Sequence, residues 1–177
     1  MNNALRKNDD AGFLSAVPDV APKAPSARDN LAEADVRQLV RIAVLDDDRG
    51  VRALLGDLLR DQGYRVSDFS TAPQLLDALQ STAFEVVLSD IKMPVMSGIE
   101  FYQQVVMQNP AQARRIVFLT GDDEDPAMRK WLEPTGNACL AKPFSTRKLL
   151  ALIEFLLQEN NVPDTVERTA GAIQMAA

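Results

Sequence analysis

Four short apolar runs each close on a polar residue capable of chemistry, and stretches of helical periodicity lie between them. Ile42-Ala43-Val44-Leu45 leads to Asp46 and Asp47, and Val86-Val87-Leu88-Ser89 leads to Asp90. Ile116-Val117-Phe118-Leu119 leads to Thr120, and Cys139-Leu140-Ala141 leads to Lys142. Apolar strands alternating with amphipathic helices specify βαβ units, and so a parallel sheet with helices on its faces. Parallel strands in an open α/β sheet present their carboxyl ends at one edge, where such sheets bind ligands. Residues nearly a hundred positions apart are therefore expected to meet in one pocket. Its carboxylates are hard oxygen donors of the kind Mg²⁺ prefers, and the lysine and threonine can hold phosphoryl oxygens.

The intervening periodicity places the helices. Val51, Leu54, Leu55, Leu58 and Leu59 recur at helical spacing, with Gly63 as the stop. A weaker strand, Tyr64 to Phe69, leads to a helix starting near Ser70-Thr71 with an apolar face of Leu75, Leu76 and Leu79. A third strand, Phe84 to Ser89, runs to Asp90. A loop then precedes a helix from Ile99 to Gln108 that carries Phe101, Val105 and Val106 and ends before Pro110. The fourth strand, Arg115 to Leu119, is followed by a short helix opened by Pro126 and closed by Pro134. The fifth strand is Ala138 to Ala141, and the final helix runs from about Thr146 to Glu159 after Ser145. Residues 39–160 are expected to form the domain. Residues 1–38 read as a disordered or linker-like extension, because they offer little apolar surface to offset their ordering entropy. Within and just beyond it, Leu31, Val36, Leu39 and Val40 could instead line a short helix over residues 30–40 that leans on the domain. Residues 161–177 read as a disordered tail.

Composition narrows the function. The chain has 177 residues, room for one domain with tails but for no second catalytic domain. With 25 acidic and 19 basic residues its net charge is −6, which argues against nucleic-acid binding by this chain alone. No apolar run reaches the roughly 18 residues of a membrane span, so no membrane partner is expected. A single cysteine, Cys139, excludes an intramolecular disulfide and suits a reducing, cytoplasmic setting. The absence of histidine removes that residue as metal ligand, general base or phosphoryl carrier, so any phosphohistidine must belong to another molecule.

With these residues in place, Arg41 to about Glu159 resembles the receiver domain of bacterial two-component response regulators. The matching stretches are Val44-Leu45-Asp46-Asp47-Asp48, Leu88-Ser89-Asp90-Ile91-Lys92-Met93-Pro94-Val95-Met96-Ser97-Gly98, Phe118-Leu119-Thr120-Gly121 and Lys142-Pro143-Phe144. The resemblance implies a doubly wound five-stranded parallel sheet of flavodoxin-like order 2-1-3-4-5. It makes Asp90 the phosphoacceptor. Asp46, Asp47, Asp90 and the backbone carbonyl of Lys92 would hold Mg²⁺, while Thr120 and Lys142 would bind the phosphoryl group. A cis Lys142-Pro143 bond would aim the ammonium inward. The implied donor is a histidine kinase or a histidine phosphotransfer protein. The implied downstream surface is the fourth helix, fifth strand and last helix, with a homodimer left open. No output domain follows in this sequence, so the expectation is a stand-alone receiver, relay or phosphate sink that is not an enzyme in the ordinary sense.

Some positions carry more than one reading. Asp48 suits a helix start better than a metal site. The resemblance puts Lys92 and Asp122 at the pocket rim, where they would modulate the lifetime of the acyl phosphate; the rest of Asp122 to Asp125 reads as a solvated loop. Cys139 stands where the family often has an aromatic switch residue, and as a small thiol it reads as a packing cysteine. The final helix has apolar residues beyond one face, Leu150, Phe155 and Leu157, which either cover core or mark an interface. Trp131 in the short fourth helix is open in the same way. Two other functions compete: a haloacid-dehalogenase-like phosphohydrolase with Asp46 as nucleophile and Asp48 as acid/base, and a receiver-like scaffold that is never phosphorylated.

Overall fold

The computed structural model describes residues 37–121 and 126–160. The expectations for residues 1–36, for Asp122 and its acidic neighbours, and for 161–177 lie outside them. Five strands run in chain order: β1 (Arg41–Leu45), β2 (Arg65–Phe69), β3 (Val86–Asp90), β4 (Ile116–Thr120) and β5 (Cys139–Ala141). They form one parallel sheet in the order β2-β1-β3-β4-β5, as expected. The helices are α1 (Arg49–Asp61), α2 (Ala72–Leu79), α3 (Gly98–Gln108), α4 (Pro126–Leu132) and α5 (Thr146–Asn160).

Period-two alternation along the strands builds two cores. Ile42 and Val44 of β1, Val86 and Leu88 of β3, and Val117 and Leu119 of β4 pack with Leu55 and Leu59 of α1 and Leu149 and Ile153 of α5. The residues between them, Ala43, Leu45, Val87, Ile116 and Phe118, face Leu75 of α2, Phe101 and Val105 of α3, and Leu132 of α4. Both faces of the central strands are therefore covered, which is why β3 and β4 are buried at every position. Each fully buried Leu or Phe contributes about 1.5–3 kcal/mol by leaving water, and together they hold the strand ends at one edge.

Several sequence expectations shift. Leu54 is 67% exposed, because its place in the helical repeat points away from the stripe formed by Leu55 and Leu59. Val106 is likewise exposed, one position past the buried Val105. Leu39 is exposed while Val40 enters the core. Asp90 is the last residue of β3 rather than the residue after it, since it still pairs with Leu119. An unexpected helical turn, Pro110–Ala113, is capped by the Asn109 side chain, which accepts from Gln112 N–H. Its signal was present in the Asn-Pro pair, a helix-opening combination. Pro134 does not stop the chain from turning either. The helix passes into a 3₁₀ turn, Glu133–Thr135, closed by Gly136 at φ 67°. On α5, Leu150 and Leu157 are half-buried against the first core, so that part of the extra apolar surface covers core. Among the described residues, no helix is long and apolar enough to cross a membrane.

Candidate functional site

β1 and β3 lie side by side where the strand order reverses, and their carboxyl ends carry Asp46 and Asp90. That reversal is where open α/β sheets leave a crevice. Asp46 is 1% exposed and Asp90 7%, so both carboxylates have given up most of their hydration. Each replaces it in the same way. One oxygen of Asp46 accepts the Asp48 N–H at 2.9 Å, and one oxygen of Asp90 accepts the Lys92 N–H at 2.9 Å. The second oxygen of each turns to Lys142, whose Nζ lies 2.8 Å from Asp46 Oδ2 and 2.6 Å from Asp90 Oδ1.

Lys142 reaches this position from the far edge of the sheet. Its N–H donates to Thr120 O, which places it just past β5, two strand spacings or roughly 10 Å from β3. Only a long side chain crosses that gap. The Lys142-Pro143 peptide is cis. Thr120 ends β4 between them and is buried. The structure thus brings Asp46, Asp90, Thr120 and Lys142 to one edge, and among the described residues no buried side-chain nitrogen or oxygen lacks a hydrogen-bond partner.

The charges are unequal. One ammonium serves two carboxylates, so the pocket keeps a net negative charge. Burial is the largest influence on Asp90 and raises its pKa above the ordinary aspartate value; Lys142 opposes the shift and Asp46 adds to it. Burial works against the charged form of Lys142, but the hydrogen bonds it donates to Asp46 and Asp90, with the charges of those carboxylates, outweigh it and raise its pKa.

Asp47 and Lys92 are exposed at the rim. The Asp47 carboxylate makes no hydrogen bond or ion pair with another described residue, and among the described residues no three acidic, histidine or cysteine side chains close into a metal cluster. The donor chemistry nevertheless fits a hard divalent cation. Two buried carboxylates already converge on a single cation, the lysine's, and a third stands next in sequence. Asp48 has another task. Its side chain caps α1, accepting from Gly50 N–H at 2.6 Å and Val51 N–H at 3.2 Å.

Cys139 is half-buried in β5, paired in register with Phe118. It packs on the second core, where Tyr102, Phe118 and Trp131 meet edge to face with centroids 5.5–5.6 Å apart. Trp131 is therefore a packing residue on its inner side. Two supports escaped the sequence reading. Gly98 opens α3 against the backbone of Asp90, where a Cβ would collide with the Asp90 carbonyl oxygen. Arg52 of α1 donates through Nη1 to the carbonyls of Asp46 and Asp47 at 2.6 and 2.9 Å. Its signal was a basic residue near a helix N-terminus, where the macrodipole disfavours positive charge.

Comparison with known proteins agrees with this geometry. Residues 42–154 match the model of the response regulator receiver domain. The chain is 34% identical over 119 residues to the transcriptional regulatory protein FixJ of Bradyrhizobium diazoefficiens, covering 67% of this chain and 57% of that protein. It is 32% identical over 125 residues to a CpxR homolog of Haemophilus influenzae, covering 70% and 52%. The chain thus spans about half the length of these relatives. Among solved structures, the chemotaxis response regulator CheY4 of Vibrio cholerae superposes with a TM-score of 0.59 at 30% identity, over 67% of this chain and 98% of that one. The receiver domain of the sensor histidine kinase PA1611 of Pseudomonas aeruginosa, with magnesium coordinated in its active-site cleft, shares the fold at a TM-score of 0.61 and 22% identity, over 67% and 98%.

Proposed function

The chain belongs to the response regulator receiver family, and from that premise we propose that Asp90 accepts a phosphoryl group from a phosphohistidine of a partner protein. The observation that carries the reading is the Lys142 ammonium held between Asp46 and Asp90 at the carboxyl edge of the sheet. A carboxylate attacking a phosphoryl group faces like-charge repulsion, so the transfer depends on positive charge fixed where negative charge arrives. An Asp90 oxygen attacks phosphorus in line as the P–N bond to the donor imidazole breaks. The imidazole nitrogen keeps the bonding electrons, and Asp90 becomes an acyl phosphate.

Lys142 then pairs with the transferred group, and the Thr120 hydroxyl bonds one of its oxygens. Asp46, Asp47, Asp90 and the Lys92 carbonyl would hold Mg²⁺, which supplies further charge neutralisation when bound. The donor is a histidine kinase or a histidine phosphotransfer protein, and the proposed setting is the cytoplasm. At a net charge of −6 the chain signals to protein rather than to nucleic acid, through the surface of α4, β5 and α5. Its own chemistry is limited to self-phosphorylation and slow loss of the phosphate. Residues 39–160 are the proposed receiver unit.

The test is incubation with acetyl phosphate and Mg²⁺ followed by intact mass. One phosphate adduct, removed by hydroxylamine and absent from Asp90→Asn, is expected. An unlabelled parent, or a fully labelled variant, would reject the assignment of Asp90.

A further inference from the structure

Arg52 is half-buried in the first turns of α1, an electrostatically poor place for a cation. It is kept there by two acceptors. Nη1 donates one hydrogen to the carbonyl of Asp46 and the other to that of Asp47, while the Arg52 N–H continues the helix to Asp48 O at 3.1 Å. The two carbonyls belong to consecutive peptides, so one guanidinium nitrogen fixes both peptide planes at the point where β1 turns into α1. Peptide planes on either side of a residue determine where its Cβ points. For Asp46 this matters little, since its carboxylate is already tied to Asp48 N–H and Lys142. For Asp47 it matters most, because its carboxylate makes no hydrogen bond or ion pair with another described residue.

We infer that Arg52 is a positioning residue for divalent-cation binding: by clamping the two carbonyls it directs the Asp47 carboxylate toward the pocket of Asp46 and Asp90. The inference rests on the receiver reading above. It also predicts a sign that charge alone would reverse. A guanidinium beside a cation site repels the cation, so removing it should tighten Mg²⁺ if only charge matters. If the clamp matters more, removing it weakens Mg²⁺.

Isothermal titration with Mg²⁺ of the phosphate-free parent, Arg52→Gln and Arg52→Lys decides between the two, with each protein's folding checked by circular dichroism. Arg52→Gln should weaken Mg²⁺ by about tenfold, in the range typical of groups that orient metal ligands. Arg52→Lys keeps the charge and loses the planar fork. It should bind more weakly than the parent while remaining folded, and it carries the test if the glutamine variant does not fold. Parental affinity in Arg52→Lys, or tighter binding in a folded Arg52→Gln, would overturn the clamp. A parent that binds no Mg²⁺ would instead count against the receiver reading itself.

Discussion

Lys142 divides one positive charge between two buried carboxylates, 2.8 Å from Asp46 and 2.6 Å from Asp90. Because burial raises the Asp90 pKa in the folded state, the native protein binds that proton more tightly than the unfolded chain does. Stability therefore falls as pH rises from the unfolded value, about 3.9, through the higher folded value. At neutral pH an ionised Asp90 costs stability. Asp90→Asn removes that charge and should stabilise the metal-free protein by on the order of 1 kcal/mol, or roughly 4 °C in Tm. The gain should shrink as the buffer is acidified and the parent takes up that proton. Melting curves across that range in chelator provide the check, and a gain independent of pH would contradict the burial argument. Lys142 loses stability in the same direction but in an alkaline window. Its raised pKa gives stability that persists at neutral pH and is lost only as pH climbs past the ordinary lysine value. Val95 shows a cost of another kind: it is 93% exposed at φ 69°, in a tight turn where Met96 N–H donates to Pro94 O. A β-branched residue is disfavoured there by about 1–2 kcal/mol. Val95→Asn should recover about 1 kcal/mol in denaturant unfolding.

The loop from β3 to α3 is held at both ends. At its start Lys92 N–H donates to Asp90; at its end Gly98 N–H donates to Ile91 O at 2.9 Å. Ser97 then caps α3 in a reciprocal box, its hydroxyl accepting from Glu100 N–H and its own N–H donating to the Glu100 carboxylate at 2.8 Å. The Ser97 N–H and the Ser97 hydroxyl, both donating to that carboxylate, hold it below its usual pKa. Gly98 lets the helix start directly beneath the Asp90 carbonyl, which also accepts the Ser89 hydroxyl at 3.0 Å. A methyl group there has only backbone to push against. Gly98→Ala should therefore cost about 2 kcal/mol or more and slow labelling of Asp90 by acetyl phosphate, whereas an ordinary first-turn substitution costs a few tenths. Unfolding curves and labelling rates that match the parent would show that the loop yields freely.

Across the whole molecule, the pocket joins elements that otherwise meet only through the sheet. Asp46 belongs to the β1 end, Asp90 to β3 and Lys142 to β5, and one ammonium ties them. A ligand that binds this edge in the folded state alone must stabilise the whole domain by mass action. At a free Mg²⁺ concentration about a hundred times Kd the gain should be near 2.7 kcal/mol. Asp47→Ala should lose much of that response while melting in chelator no lower than the parent, since it removes an exposed carboxylate from a pocket already rich in negative charge. An unchanged Mg²⁺ response in the variant would place the cation elsewhere.

The strand order and the residues gathered at its carboxyl edge were readable because period-two apolar runs, helical repeats and the four strand-end motifs are local patterns. Asp46, Asp90 and Lys142 are joined at that edge, and Thr120 ends the strand between β3 and β5. What local patterns do not encode is how far a side chain reaches and which neighbour claims it. Leu54 fits the helical repeat yet faces water, because only packing against β1 and β2 decides where the apolar stripe ends. Trp131 became a packing residue only when α4 was placed against Phe118 and Tyr102. Arg52 was legible as a charge in a poor location, and Gly98 as part of a motif. Their contacts with the Asp46, Asp47 and Asp90 carbonyls exist only once β1 and β3 are side by side and each helix start is folded back on its strand end. Sequence determined which groups are present at the edge; tertiary structure decided how they share one positive charge, since that depends on distances across three strands.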